Sequence, residues 1–224
     1  MWLPGFKSEM VSLKATALAD FARQQGVSMA RFDYSGHGRS GGAFADGTIS
    51  DWLADTLAVI DAATDGPLVL VGSSMGGWLA LLAARARSAR VRALVLIAPA
   101  PDFTERLMWP ELTEAARQAI MTAGHWDRPS AYGDAPTPIT RALIEDGRRH
   151  LLLDAPIPFA GPVRILHGQA DPDVPWRLSL ELAERLTSDD VRVTFVKDGD
   201  HRLSTPRDIA LLEATVEALC AESN

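Results

Sequence analysis

The stretch VLVGSSMGGWL, Val69 to Leu79, sets two serines among glycines, between an apolar run and a helical pattern. Gly72-Ser73-Ser74-Met75-Gly76 fits Gly-x-Ser-x-Gly in one register only, because Ser73 would need glycine at 71, where Val71 stands. The pattern suits a strand that turns sharply into a helix and holds a serine in a strained backbone at the sheet's C-terminal edge. Small neighbours let that turn close, so Gly72, Gly76 and Gly77 have a steric task. Ser74 is then the presented hydroxyl and Ser73 the filler. The competing reading is an ordinary glycine turn; the strand before it and the helix after it favour the elbow.

A serine hydroxyl is a weak nucleophile until a base takes its proton, and that base is usually an oriented histidine. The chain has five histidines. His37, in YSGHGRSGG, reads as a packing or pocket-rim residue, and His125 and His150 as surface or lid residues. His167 closes an apolar run in ILHG and reads as buried and structural. His201, in KDGDHRLS, follows the last expected strand and is the expected base. The orienting acid belongs in the loop after the preceding strand, in the chain order Ser, Asp, His. LHGQADPDVPW offers Asp171, favoured, and Asp173, read as a turn residue; Asp198 and Asp200 also read as turn formers. An oxyanion hole needs two N–H groups aimed at the developing charge. Met75, after the nucleophile, supplies one, and Phe6, in WLPGF, is expected to supply the other.

These side chains need a scaffold that brings distant loops to one edge. Residues 27–34, 67–72, 91–100, 161–168 and 191–196 read as strands, nearly continuous in Val, Ile and Leu as strands buried on both faces are. Helical patterns alternate with them; Thr48 with Asp51 resembles a capping box, and Gly26 sits where a helix would stop. The alternation implies right-handed crossovers and a mostly parallel sheet with helices on both faces, an α/β fold. Residues 1–100 form the first part of that core, 161–224 the second, and 101–160 a helical lid insertion. Its apolar residues Leu107, Met108, Trp109 and Trp126 are expected to bind substrate. Only Met1, Trp2 and Leu3 precede the first turn, so the N-terminal strands of such a sheet are expected to be truncated.

Composition narrows the function classes. The chain's 224 residues carry a net charge of −7, which offers no electrostatic footprint for nucleic acid. No apolar run approaches the roughly 18 residues of a membrane span. The N-terminus does not read as a secretion signal, and Cys220, the single cysteine, allows neither an intrachain disulfide nor a Cys-based metal site. A reducing, cytoplasmic compartment is the expectation. Gly36 to Gly41 also matches Gly-x-Gly-x-x-Gly, but no helix opens immediately after it, which argues against a dinucleotide site.

Together, RFDYSGHGRS, GSSMGGWL, DAPIP, LHGQADPDVPW and GDHR resemble the α/β-hydrolase superfamily over essentially the whole chain. More narrowly they resemble its mitochondrial acyl-glucuronide esterase and palmitoyl-protein thioesterase branch, with bacterial relatives. The resemblance implies a serine hydrolase with Ser74, Asp171 and His201 as triad and Phe6 and Met75 at the oxyanion positions. It acts on small acyl esters or thioesters, or on an S-acylated protein, without a cofactor or metal. Superfamily members with haloalkane dehalogenase or epoxide hydrolase chemistry carry Asp where Ser74 stands. The alternatives left open are a serine peptidase, a C–C bond hydrolase and a ligand-binding protein without turnover.

Overall fold

The computed structural model describes residues 1–129 and 136–221. The elements in the first half are β1 (Trp2–Leu3), α1 (Leu13–Gln24), α2 (Ile49–Ala63), β2 (Leu68–Ser73), α3 (Met75–Ala86) and β3 (Val91–Ile97). They are followed by α4 (Trp109–Glu111), α5 (Glu114–Ala123), β4 (His125–Arg128), β5 (Thr137–Thr140) and α6 (Arg141–Gly147). The chain closes with β6 (Val163–Gly168), α7 (Arg177–Arg185), β7 (Val191–Val196) and α8 (Pro206–Ala221). Among the described residues the main sheet runs β1-β2-β3-β6-β7, every pairing parallel.

The two-residue alternation of a strand sorts the apolar side chains into two layers. In β3, Leu94 and Leu96 join a cluster with Trp52 and Ile60 of α2, Trp78 and Leu82 of α3 and Leu182 of α7. Ala93, Val95 and Ile97 join the opposite cluster with Ala15 and Leu18 of α1 and Leu212 and Leu219 of α8. A strand buried on both faces has no polar register to spare, which is why these runs read as almost unbroken Val, Ile and Leu. The helix ends follow their sequence cues. Thr48 N–H donates to Asp51 Oδ2 at 3.0 Å and Asp51 N–H to Thr48 Oγ1 at 3.3 Å, a reciprocal box at the start of α2. Past the end of α1, Gly26 turns left-handed at φ +67° and lets Val27 N–H reach the Ala22 carbonyl at 2.9 Å.

Two strand expectations need correction. Residues 27–34 do not form a strand: Arg31 makes one bridge to Trp2, and Trp2 N–H donates to the Ala30 carbonyl at 2.9 Å. Their neighbour β1 has two residues, so there is little ladder to join. The run 91–100 leaves the sheet after Ile97, where Ala98 takes φ +42° and Pro99 lacks a donor.

Residues 101–160 contain a widened helical turn (Thr104–Met108), α4, α5, the antiparallel β4–β5 hairpin and α6. Both ends of the segment are tied at one residue. Asp102 is buried, and its carboxylate accepts Leu152 N–H at 2.9 Å and Leu153 N–H at 2.9 Å. Burial pushes the Asp102 carboxyl upward, and those two N–H groups oppose the shift.

Candidate active site

Ser74 occupies the junction between β2 and α3 at φ +54° and ψ −119°, a conformation costly for any residue with a side chain. The surroundings over-determine it. Ser74 N–H donates to the Ile97 carbonyl at 2.9 Å, and its own carbonyl accepts Gly77 N–H at 2.8 Å. A Cβ at Gly72 would overlap the Gly76 carbonyl, and one at Gly76 would overlap the Leu3 carbonyl. At Gly77 it would lie 2.9 Å from Pro99 Cβ. All three glycines therefore have the steric task their spacing suggested. Ser73 is buried at 8 % exposure and Ser74 is half-buried; both border a cleft of about 430 Å³ that His201, Gly5 and Phe6 also line.

The loops after β6 and β7 are knit together before their side chains meet. Gln169 N–H donates to the Val196 carbonyl at 2.8 Å and Ala170 N–H to the Gly199 carbonyl at 3.0 Å. Asp171 and His201 then pair, Oδ2 to Nδ1, at 2.7 Å, with the carboxylate fully buried and the imidazole side chain 21 % exposed. The other carboxylate oxygen accepts Asp173 N–H at 2.8 Å and Val174 N–H at 2.9 Å. Asp173 thus contributes a backbone donor from an exposed turn. Asp200, by contrast, accepts through its carboxylate, from Arg202 N–H at 3.0 Å and Leu203 N–H at 2.9 Å, and so closes the turn that carries His201. Lys14 Nζ donates to the Arg202 carbonyl next to the histidine, and burial lowers that ammonium to about 8.

His167 is fully buried and supports the pair in a way its sequence position did not announce. Its Nε2 faces Asp171 Oδ2 at 3.2 Å and the Val174 carbonyl at 3.1 Å, both acceptors, so Nε2 carries the proton. Nδ1 accepts from Ser179 Oγ at 2.6 Å. Burial by itself would raise the Asp171 carboxyl, but the hydrogen bonds from His167, His201 and Val174 outweigh it and hold the group well below the usual carboxylate range. Ligand atoms of Asp171, Asp173 and His201 lie within 4.8 Å of one another, a spacing a cation could use. The lone pairs of Asp171 are already committed to four N–H donors, so the group reads better as an acid–imidazole pair.

Phe6 lines the same cleft, its ring 5.0 Å from Phe44, 5.5 Å from Phe103 and 5.9 Å from Trp52 between centroids. His37 is buried, as a packing residue would be, and also accepts Lys7 N–H at 3.2 Å through Nε2. Nothing in the sequence marked either histidine, His37 or His167, for these contacts, because each partner lies on another loop or helix. His125 is exposed on β4, and His150 Nε2 meets Ser50 Oγ at 2.7 Å.

The four apolar residues of 101–160 are not among those lining the Ser74 cleft. Met108 is buried in the core, and Leu107, Trp109 and Trp126 pack partly buried against it. The guanidiniums of Arg117 and Arg148 lie 5.5 and 5.0 Å from the Trp109 ring centroid.

The Hydrolase_4 family, described as serine aminopeptidase, S33, matches residues 3–141. The mitochondrial palmitoyl-protein thioesterase ABHD10 of Mus musculus is 41% identical over 98% of this chain and 74% of its own length. A crystal structure from Agrobacterium vitis S4 superposes with a TM-score of 0.93 at 48% identity, covering 97% of this chain and 85% of that one. Mouse α/β-hydrolase domain-containing protein 10 superposes with a TM-score of 0.90 at 40% identity, covering 100% and 89%. The expectation of a cytoplasmic compartment is overturned by the palmitoyl-protein thioesterase relatives of mouse and rat, which are mitochondrial. One unpaired cysteine argues for a reducing environment, and that property does not single out the cytosol.

Proposed function

Since the chain belongs to the α/β-hydrolase family, and a palmitoyl-protein thioesterase 41% identical over 98% of it points to an esterase or thioesterase, we propose that Ser74, Asp171 and His201 are its triad. The observation that carries this reading is the 2.7 Å pair of Asp171 and His201 on the cleft that Ser74 enters from a strained elbow. Ser74 Oγ attacks the acyl carbonyl while His201 Nε2 takes its proton, and Asp171 fixes the proton on Nδ1 and stabilises the imidazolium. The backbone N–H groups of Met75 and Phe6 receive the oxyanion. The imidazolium returns its proton to the departing alcohol or thiol. Water, activated by the same imidazole, then releases the acid from Ser74.

The substrates of this reading are acyl esters and thioesters, including S-acylated proteins, as the name of the palmitoyl-protein thioesterase relative suggests. Residues 101–160 act as a lid, and Trp109 and Trp126, which pack against the core and are not among the residues lining the Ser74 cleft, meet only an acyl chain long enough to extend past it. What supports the lid is the reach of its hairpin to the cleft: Lys7 Nζ donates to Thr137 Oγ1 of β5 at 2.9 Å. Peptide-bond hydrolysis is a second reading, favoured by the description of the matching family. The deciding experiment is a rate survey of acyl esters and acyl thioesters of graded chain length beside aminoacyl anilides. The first reading expects turnover of esters and thioesters to exceed that of anilides. Anilide turnover alone would transfer the site to the second.

A further inference from the structure

Phe6 and Lys7 are the central residues of a four-residue turn closed by Ser8 N–H on the Gly5 carbonyl at 3.0 Å. Lys7, the third residue of the turn, stands at φ +56°. A turn with a left-handed third residue ordinarily places glycine there, because a Cβ makes that backbone unfavourable. The turn therefore needs an external hold, and its peptide between Phe6 and Lys7 has one: Lys7 N–H donates to His37 Nε2 at 3.2 Å.

We propose that His37 is a positioning residue that fixes this turn, and through it the Phe6 N–H, for oxyanion binding. The inference rests on the reading of Phe6 as an oxyanion donor. The imidazole is set up for the task. Nδ1 faces the Ser35 carbonyl at 3.3 Å, which can only accept, so Nδ1 carries the proton and Nε2 keeps its lone pair for Lys7. The rings of Tyr34, Phe44 and Trp52 surround it at 5.6, 5.1 and 5.2 Å between centroids. Burial among them disfavours the cation, which would lose the acceptor, although the Ser35 carbonyl and the charges of Asp33 and Asp55 pull the other way. Those two carboxylates are occupied elsewhere. Asp33 accepts Met10 N–H at 2.7 Å and Arg39 N–H at 2.9 Å, and Asp55 accepts Ser35 N–H at 2.7 Å. The third charge nearby, the Lys7 ammonium, is turned to Thr137 and lies 5.9 Å from the Phe44 centroid. The buried histidine is thus the neutral acceptor that a displaced Phe6–Lys7 peptide would lose.

The test compares His37→Leu, His37→Gln and His37→Asn in the full chain, with kcat and KM on one acyl thioester and inhibition by an acyl trifluoromethyl ketone. Glutamine can bring its amide oxygen to the place of Nε2; asparagine is too short to reach it. His37→Leu and His37→Asn are expected to lower kcat about 10²-fold, the scale of one lost oxyanion donor, and to weaken the ketone in proportion. KM should stay within about twofold, and His37→Gln should retain kcat to within about threefold, a KM-against-kcat split that marks a transition-state contact. Equal activity in all variants would overturn the proposal. So would a glutamine variant as impaired as the asparagine one, a comparison that stands even if the leucine variant fails to fold. Ser74 labelling by a fluorophosphonate in the unchanged chain is measured first. Its absence would defeat the reading of the cleft and this inference with it, whereas normal labelling with the wrong variant pattern would defeat His37 alone.

Discussion

Ser74, Asp171 and His201 stand on loops that leave β2, β6 and β7, whose backbones are aligned by parallel ladders, Gly72 opposite Leu96, Leu96 opposite Ile165 and Gly168 opposite Val196. Phe6 and residues 101–160 are held in another manner. The Phe6 turn follows a two-residue strand and depends on His37, Phe44 and Phe103. Residues 101–160 hang from Asp102 and from side-chain contacts to the core. The strands that carry the first region are aligned by backbone hydrogen bonds, and three glycines keep its elbow clear. The second is placed by particular side chains, each replaceable on its own. Substitutions in the two regions should accordingly differ in kind: failures of chemistry or of folding in one, graded shifts of rate and selectivity in the other.

The largest effect is expected at the elbow. Ser74→Ala should lower kcat by about a million-fold, the scale of a triad knockout, with Ser73→Ala far milder. A dead Ser73→Ala with an active Ser74→Ala would reverse the register of the turn. Next comes the acid. Asp171→Asn favours the wrong tautomer of His201 and should cost roughly four orders of magnitude in kcat, while Asp173→Asn, which keeps its backbone donor, should stay within about tenfold. Equal losses in steady-state assays of the two would merge their roles.

The same carboxylate gives a stability measurement. Asp171 is held below its ordinary value of 3.8, so its stabilising contribution is present above that pH and is lost as pH falls through the folded value. Asp171→Asn should therefore flatten the acid decline in Tm, and an unchanged decline would show that other groups carry it. Gly76→Ala, which drives a methyl into the Leu3 carbonyl, should destabilise by roughly 1–3 kcal/mol in denaturant titration, the usual cost of overpacking.

The smallest and most selective effect belongs to residues 101–160, the proposed lid. Each buried methylene contributes about 0.8 kcal/mol, so kcat/KM should climb several-fold per added CH₂ until the acyl pocket is full. Trp109→Ala or Trp126→Ala should flatten that climb more than it lowers turnover of acetyl esters. A chain-length profile unchanged by both would return the two tryptophans to the core.

The same division explains what could be read in advance. The parallel sheet, the two helix layers and the candidates Ser74, Asp171 and His201 were legible because each rests on a local pattern: a glycine spacing, an apolar run, a loop following a strand. Residues 27–34 carry the same kind of apolar run, yet make one bridge, because strand formation also depends on the length of the neighbour. His37, which reads as a packing or pocket-rim residue, and His167, which reads as buried and structural, are both buried. Their hydrogen bonds to Lys7 and Asp171 were not legible, since Lys7 lies 30 residues upstream of His37 and Asp171 has two histidines competing for one oxygen. Compartment is not written in composition at all, and there the relatives correct the sequence.

The most direct measurement is intact-mass and peptide mapping of the chain after reaction with a fluorophosphonate. The account expects a single adduct, on Ser74, formed equally well in Ser73→Ala and lost in Ser74→Ala. An adduct that survives Ser74→Ala, or that maps to Ser73, would contradict the assignment of the nucleophile on which the rest of the chemistry depends.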